Sequence, residues 1–243
     1  MQLLLPEQRR VEVEDLLDLY DPGDGPQLRV GFVVTVDGGI AWDGGSRGLQ
    51  TPADQAVFST LRAVADAVVV GAGTARAEGY GPVRHRPAGH AWREAHARRP
   101  APLVLVTRSM DLDPSDRAFS GGVRSVVVTC EAAPPAPRAL LDIADVLVAG
   151  GDDVDLPAAV AALHARGLTR LLCEGGPSLL TSLLTAGLVD ELCLTHSPLL
   201  VGTAPTLLDR ALSAPVRLDL KHLVDGGDGA LLARYALRPP RQP

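Results

Sequence analysis

An α/β fold with a mostly parallel central sheet, flanking helices and an antiparallel C-terminal edge is what the sequence predicts. Three observations lead there. Short runs rich in Val and Leu recur at 67–71 (AVVVG), 103–107 (LVLVT), 124–129 (RSVVVT) and 145–149 (DVLVA). They lack the polar alternation of a half-exposed strand, so each reads as a strand covered on both faces. Amphipathic segments with recognisable caps alternate with strand-like runs, the pattern of a sheet covered by helices. The C-terminal stretch LDLKHLVDGGDGALLARYAL then places two strand-like runs around a DGGDG turn, which reads as a terminal hairpin.

In chain order, 11–20 reads as a short amphipathic helix, ended by the breaker-rich DPGDGP at 21–26. The β-branched run 28–36 (LRVGFVVTV) reads as a strand that stops at the turn Asp37-Gly38-Gly39. Thr51 has the character of a helix N-cap, with Pro52 at the first helical position and Asp54 in the first turn. The helix so started carries Val57, Leu61, Val64 and Ala65 on one face. Farther on, 156–166 reads as a helix closed by Gly167, 168–173 as a strand, 177–186 as a helix closed by Gly187, and 192–196 as a strand. The stretch 79–101 holds five arginines and three histidines and reads as irregular. At that length it is either a solvated loop or a lid that meets an anionic ligand. With no internal repeat and no linker, 28–243 reads as one domain preceded by an N-terminal extension at 1–27.

The 243 residues suffice for a large core without metal or disulfide staples. A net charge of −6 gives no global attraction to nucleic acid or to an anionic membrane. Cys130, Cys173 and Cys193 are widely spaced, and no Cys/His metal spacing occurs; a reducing compartment suits them, and no metal is expected. The N-terminus turns acidic too early for a signal peptide, and no apolar stretch is long enough to span a bilayer. A cytoplasmic location is the expectation.

Chemistry concentrates at strand ends. In LLCEGGPSLL (171–180) a strand runs into Glu174, Gly175 and Gly176, and Pro177 opens a helix. Glycines permit close approach of a ligand to backbone, and a helix N-terminus offers free N–H groups to an anion. Gly71, Gly73 and Thr74 repeat this pattern after the strand at 67–71, without the spacing of a Rossmann fingerprint. Arg108 and Ser109 follow the strand at 103–107, where a guanidinium beside a hydroxyl suits a monoester such as the 2′-phosphate of NADPH. Each corner is equally explained as an ordinary turn. Together they ask for an extended ligand with several anionic groups, which a dinucleotide is. Asp37 and Glu174 are the carboxyls best placed to supply a proton.

These segments resemble a known family. TVDGGIA (35–41), GGSRGLQTP (44–52), VVVGAGTARAE (68–78), VTRS (106–109) and EGGPSLLTSLLTAGLVDEL (174–192) match, in order and spacing, the reductase domain of the bifunctional riboflavin-biosynthesis deaminase/reductase. The resemblance implies a stand-alone pyrimidine reductase with a dihydrofolate-reductase-like fold, a homodimer that uses NADPH on a small-molecule substrate. Cofactor contacts would come from Gly71, Gly73, Thr74, Glu78, Arg108, Ser109 and the loop Gly175, Gly176, Pro177, Ser178 and Leu179. Ser46, Arg62 and Glu174 would contact the substrate, with Arg84 at its phosphate. Hydride would reach the anomeric carbon of a phosphoribosylamino-pyrimidine, 5-amino-6-(5-phosphoribosylamino)uracil in type.

The sequence departs from the family in several places. No zinc-deaminase motif is present. Glu78 replaces the family aspartate and is followed by Gly-Tyr-Gly-Pro, Gly48 stands where an aromatic residue is common, and 1–27 has no counterpart. Two other functions fit the same corners: reduction of a pterin such as dihydrofolate, and non-catalytic dinucleotide binding.

Overall fold

The computed structural model describes residues 1–23 and 25–238. The chain enters the sheet at once: β1 (Gln2–Leu5) pairs antiparallel with β2 (Arg9–Arg10). Helix α1 (Asp15–Leu19) follows, shorter than the expected 11–20 because the Val11 N–H is given to the Met1 carbonyl at 3.0 Å beside the β1–β2 pair. Then come β3 (Gln27–Thr35), α2 (Pro52–Val64), β4 (Ala67–Gly71), α3 (Ala72–Ala77), α4 (Pro87–Ala95) and β5 (Leu103–Val106). The second half is built from β6 (Ser125–Thr129), α5 (Arg138–Leu141), β7 (Ala144–Val148), α6 (Leu156–Ala165), β8 (Arg170–Cys173), α7 (Pro177–Thr185), β9 (Glu191–Ser197), β10 (Leu218–Asp225) and β11 (Leu231–Leu237).

Among the described residues these strands form one eleven-stranded sheet in the order β2-β1-β10-β11-β9-β3-β8-β4-β5-β6-β7. From β9 to β7 every neighbouring pair is parallel. The pairs from β9 through β11, β10 and β1 to β2 are antiparallel. The expected mostly parallel sheet with an antiparallel C-terminal edge is therefore present, and the segment read as an N-terminal extension adds two further strands to that edge.

Strand β4 shows why the apolar runs lack polar alternation. Val68 and Val70 enter the core on the α2 side of the sheet, and Ala67 and Val69 enter the core on the α6 and α7 side. Both faces are dry, so every position is apolar. Helix α2 starts as its sequence predicts, with Thr51 Oγ1 accepting from the Asp54 N–H at 3.2 Å. The turn between β10 and β11 reinforces that start, since an Asp228 carboxylate oxygen accepts from the Ala53 N–H at 2.9 Å.

The stretch 79–101 is not structureless, because it contains α4. Gly89 packs closely against Ala63, and Trp92 joins Leu17, Ala63 and Val64 in a small core. The buried Arg93 guanidinium donates to the carbonyls of Ala63 and Ala65 at 2.8 and 2.6 Å, closing the end of α2. Arginine here serves the orphan carbonyls of a helix C-terminus, a role that composition alone does not separate from that of a charged loop.

A buried ionic cluster ties α1 to the sheet. Arg29 and Arg234 both donate to Glu191, with shortest contacts of 2.6 Å. The same guanidinium groups donate to the Tyr20 and Leu19 carbonyls at 2.7 and 3.0 Å. One carboxylate and a helix C-terminus thereby share two cations, which keeps the buried charges paired.

Candidate active site

The parallel strands β8, β4 and β5 end side by side, so the corners after them are neighbours. Gly71, closing β4, donates its N–H to the Gly175 carbonyl at 2.7 Å, and Glu174 donates its N–H to the Val69 carbonyl at 2.9 Å. The two glycine corners are stitched together by their own backbones. Gly175 has φ +96°, and a side chain there would come within 2.5 Å of Phe32 Cζ. A side chain at Gly176 would collide with Thr74 Oγ1. Both positions need glycine, whereas Gly73 faces open space. The peptide between Gly175 and Gly176 is cis.

The third corner, Thr107 to Ser109, completes a cleft of about 520 Å³. Gly71, Gly73, Thr74, Arg108, Ser109, Gly176, Pro177, Ser178 and Leu179 all line it, as expected of a shared ligand site. Gly175 lies behind this wall. Arg76 also lines the cleft, ion-paired to Asp111 at 2.9 Å. Helix α7 begins at the cleft without a side-chain cap, which leaves its first N–H groups for an anion.

A second, smaller chamber of about 280 Å³ meets the cleft at Thr74, Gly176 and Pro177, residues that line both. Phe32, Ile40, Phe58, Tyr80 and Pro205 give it apolar walls, and Ser46, Asp54, Glu78 and Glu174 give it polar groups. Its lining of aromatic, apolar and polar side chains suits a small molecule with polar edges.

Arg62 and Glu174, expected as separate substrate contacts, hold each other. Arg62 Nε and an Nη donate to the two Glu174 carboxylate oxygens, each at 2.7 Å. The Glu174 side chain is 1% exposed. The Arg62 guanidinium lies over the Phe58 ring, 4.5 Å from its centroid. Burial disfavours the Arg62 charge, but Glu174 more than offsets it and the Arg62 pKa is raised. Tyr80 completes the group; burial first, and Glu174 second, push its phenol well above the usual range.

Three expected site residues lie elsewhere than anticipated. Asp37 does not line the chamber. Its carboxylate accepts from Thr35 Oγ1 at 2.5 Å and from the Gly202 N–H at 2.7 Å, so it ties the loop after β9 to the end of β3. Those hydrogen bonds, Thr35 first, lower its pKa. Glu78, expected at the cofactor, lines the inner chamber rather than the cleft, and its Oε1 accepts from the Ser46 N–H at 2.8 Å. Arg84 is exposed and lines neither cavity.

Asp54 and Tyr80 are chamber residues that sequence reasoning did not single out. For Asp54 a signal existed. It shares the helical face of Val57 and Leu61, and a carboxyl on a buried stripe is out of place unless it is used.

An open sheet whose strand ends carry a glycine-walled cleft, joined to a smaller chamber, defines an α/β protein of the dihydrofolate-reductase-like type. The chain belongs to the family of the RibD C-terminal domain, whose model matches residues 26–232. It is 33% identical over 221 residues, 88% of this chain and 99% of the relative, to the 2,5-diamino-6-ribosylamino-4(3H)-pyrimidinone 5′-phosphate reductase of Methanothermobacter thermautotrophicus. The protein of the same description from Archaeoglobus fulgidus is 30% identical over 189 residues, 76% of this chain and 86% of the relative. Among solved structures, a pyrimidine reductase-like protein from Corynebacterium diphtheriae superimposes with a TM-score of 0.82 at 29% identity, covering 94% of this chain and all of that one. No helix among the described residues is long and apolar enough to cross a membrane.

Proposed function

We propose that this chain is an NADPH-dependent reductase of a ribosylamino-pyrimidine 5′-phosphate in riboflavin biosynthesis, delivering hydride to the anomeric carbon of the ribose. One observation carries this proposal: the cleft and the inner chamber share the wall Thr74, Gly176 and Pro177. A donor in one cavity and an acceptor in the other would meet there, as near-attack geometry demands.

The residues present fit the cofactor. A cleft walled by Gly71, Gly73 and Gly176, an uncapped helix start, and the Arg76 and Arg108 cations together suit a phosphorylated dinucleotide. Arg108 and Ser109 would take the 2′-phosphate. When bound, NADPH supplies the hydride. The chain's own part is to orient and to enclose. Phe32, Phe58, Ser46 and Glu78 line the chamber, and the Arg62–Glu174 pair fixes a buried carboxylate in the same lining without leaving it unpaired.

Both archaeal relatives are described by a pyrimidinone that keeps its 2-amino group, which favours that substrate over the uracil expected from the bifunctional enzymes. Loss of NADPH absorbance against the diamino-pyrimidinone, the aminouracil and dihydrofolate tests the proposal. Turnover of either ribosylamino-pyrimidine upholds it. Turnover of dihydrofolate alone, or NADPH binding with no turnover, replaces it with the pterin or the non-catalytic alternative. The same proposal carries a cytoplasmic homodimer, for which light scattering gives the oligomeric state.

A further inference from the structure

Three carboxylates line the inner chamber, and two are already engaged. Glu174 is tied to Arg62 and Glu78 to the Ser46 backbone. The third, Asp54, is 4% exposed and, among the described residues, has no cationic partner. It stands between the chamber and a small void of about 10 Å³ bounded by Tyr20, Cys193 and Thr195.

The groups facing Asp54 come from several elements, and none supplies a positive charge. The Thr195 hydroxyl on β9 hydrogen-bonds to it, and the Asp228 carboxylate approaches from the turn after β10. Tyr20, beyond α1, is held neutral by burial, and burial pushes the Cys193 thiol up to about 11. A buried carboxyl with a second carboxylate nearby and no cation keeps its proton more readily than a solvated one.

Conversion of a cyclic ribosylamine into an open-chain ribitylamine consumes one hydride and one proton. We propose, resting on the function proposed above, that Asp54 is the general acid of this chamber. Its carboxyl proton passes to the ring oxygen of the ribosylamine as the bond from that oxygen to the anomeric carbon breaks. The nitrogen lone pair forms the C=N bond of the resulting iminium, and the Asp54 carboxylate left behind stabilises that cation. Hydride from NADPH then adds to the anomeric carbon, the C=N electrons return to nitrogen as its lone pair, and solvent returns a proton to Asp54. The sum is ribosylamine, NADPH and one proton giving ribitylamine and NADP⁺.

Ring opening precedes hydride transfer, so it is observable without NADPH. The protein should accelerate interconversion of the α and β anomers of 2,5-diamino-6-ribosylamino-4(3H)-pyrimidinone 5′-phosphate, followed by NMR. Asp54→Asn should abolish that acceleration and lower kcat by about 10²-fold or more, with NADPH affinity kept, as loss of a general acid does. Because the acid must be protonated, wild-type kcat should fall as pH rises through a pKa above the usual carboxylate value of about 4. Asp54→Glu should keep part of the rate with that limb displaced. Asp54→Asn turnover within about threefold of wild type, or an unchanged pH limb, overturns the proposal. If Asp54→Asn does not fold, the wild type decides, and a flat kcat between about pH 5 and pH 9 overturns it. A wild type that binds NADPH but turns over no ribosylamino-pyrimidine overturns the parent function instead, and this inference with it.

Discussion

The Thr74 hydroxyl occupies the space that any side chain on Gly176 would need. Two corners far apart in sequence thus meet at a contact that allows no added methyl group, in the wall common to both cavities. Gly176→Ala is therefore expected to weaken NADPH binding by about tenfold or more and to cost about 1–3 kcal/mol of stability, the range for overpacking. Thr74→Ala removes the obstructing oxygen, so the double variant should regain most of the lost stability. Denaturant unfolding of all four proteins gives the coupling; strict additivity would show that the contact is not the cause.

Glu174→Gln keeps the size of the side chain while removing the charge that holds Arg62. Turnover should fall about tenfold or more with NADPH affinity nearly kept, and stability should drop by about 1–3 kcal/mol, below the usual cost of breaking a buried pair because Arg62 is partly exposed. Steady-state kinetics beside a fluorescence titration with NADPH separate the two effects. An unaltered rate would leave Glu174 a purely structural partner.

Arg108 lines the cleft without an ion-pair partner among the described residues. Arg108→Ala should weaken NADPH by about tenfold or more, the scale of a charged hydrogen bond, with little change for NADH. Binding isotherms for both nucleotides decide; equal losses remove Arg108 from the 2′-phosphate.

His222 is buried against the edge of Tyr20, with ring centroids 4.7 Å apart. Burial, then the neighbouring Arg234, lowers its pKa to about 4. The folded state prefers neutral imidazole, so this stabilisation is complete above the unfolded pKa of about 6.5 and is lost as pH falls towards about 4. The loss should reach about 3 kcal/mol in all. Urea unfolding at several pH values should show a shallower acid decline for His222→Phe, which keeps the ring contact. His85, lowered to about 4 by burial and then by Arg93, titrates in the same window and remains in both proteins.

Much of the fold was legible because dry sheet faces and helix starts leave local marks. The run at 67–71 needed both faces covered, and Thr51-Pro52 dictated where α2 begins. The glycine corners were legible because a strand running into glycines and a helix start is itself a local mark, although the contacts that demand glycine come from Phe32 and Thr74, far along the chain. What escaped depended on partners distant in sequence. Nothing near Arg93 announces that it closes α2, and nothing near Arg62 announces Glu174. The hold of Asp37 on the Val201 and Gly202 N–H groups was equally hidden, since those groups lie far along the chain. The N-terminal strands were missed because so short a run acquires meaning only beside β10.

Pairing of β1 with β10 has a practical corollary. β1 covers β10 at Leu223 to Asp225, and the exposed Leu231 stands beside Asp225 on the next strand, so a β10 stripped of its neighbour would offer bare amides and carbonyls next to a greasy side chain, an invitation to other copies. Trimming the first ten residues should therefore yield a protein that turns over normally when dilute yet clumps on concentration, a defect of shelf life rather than of chemistry.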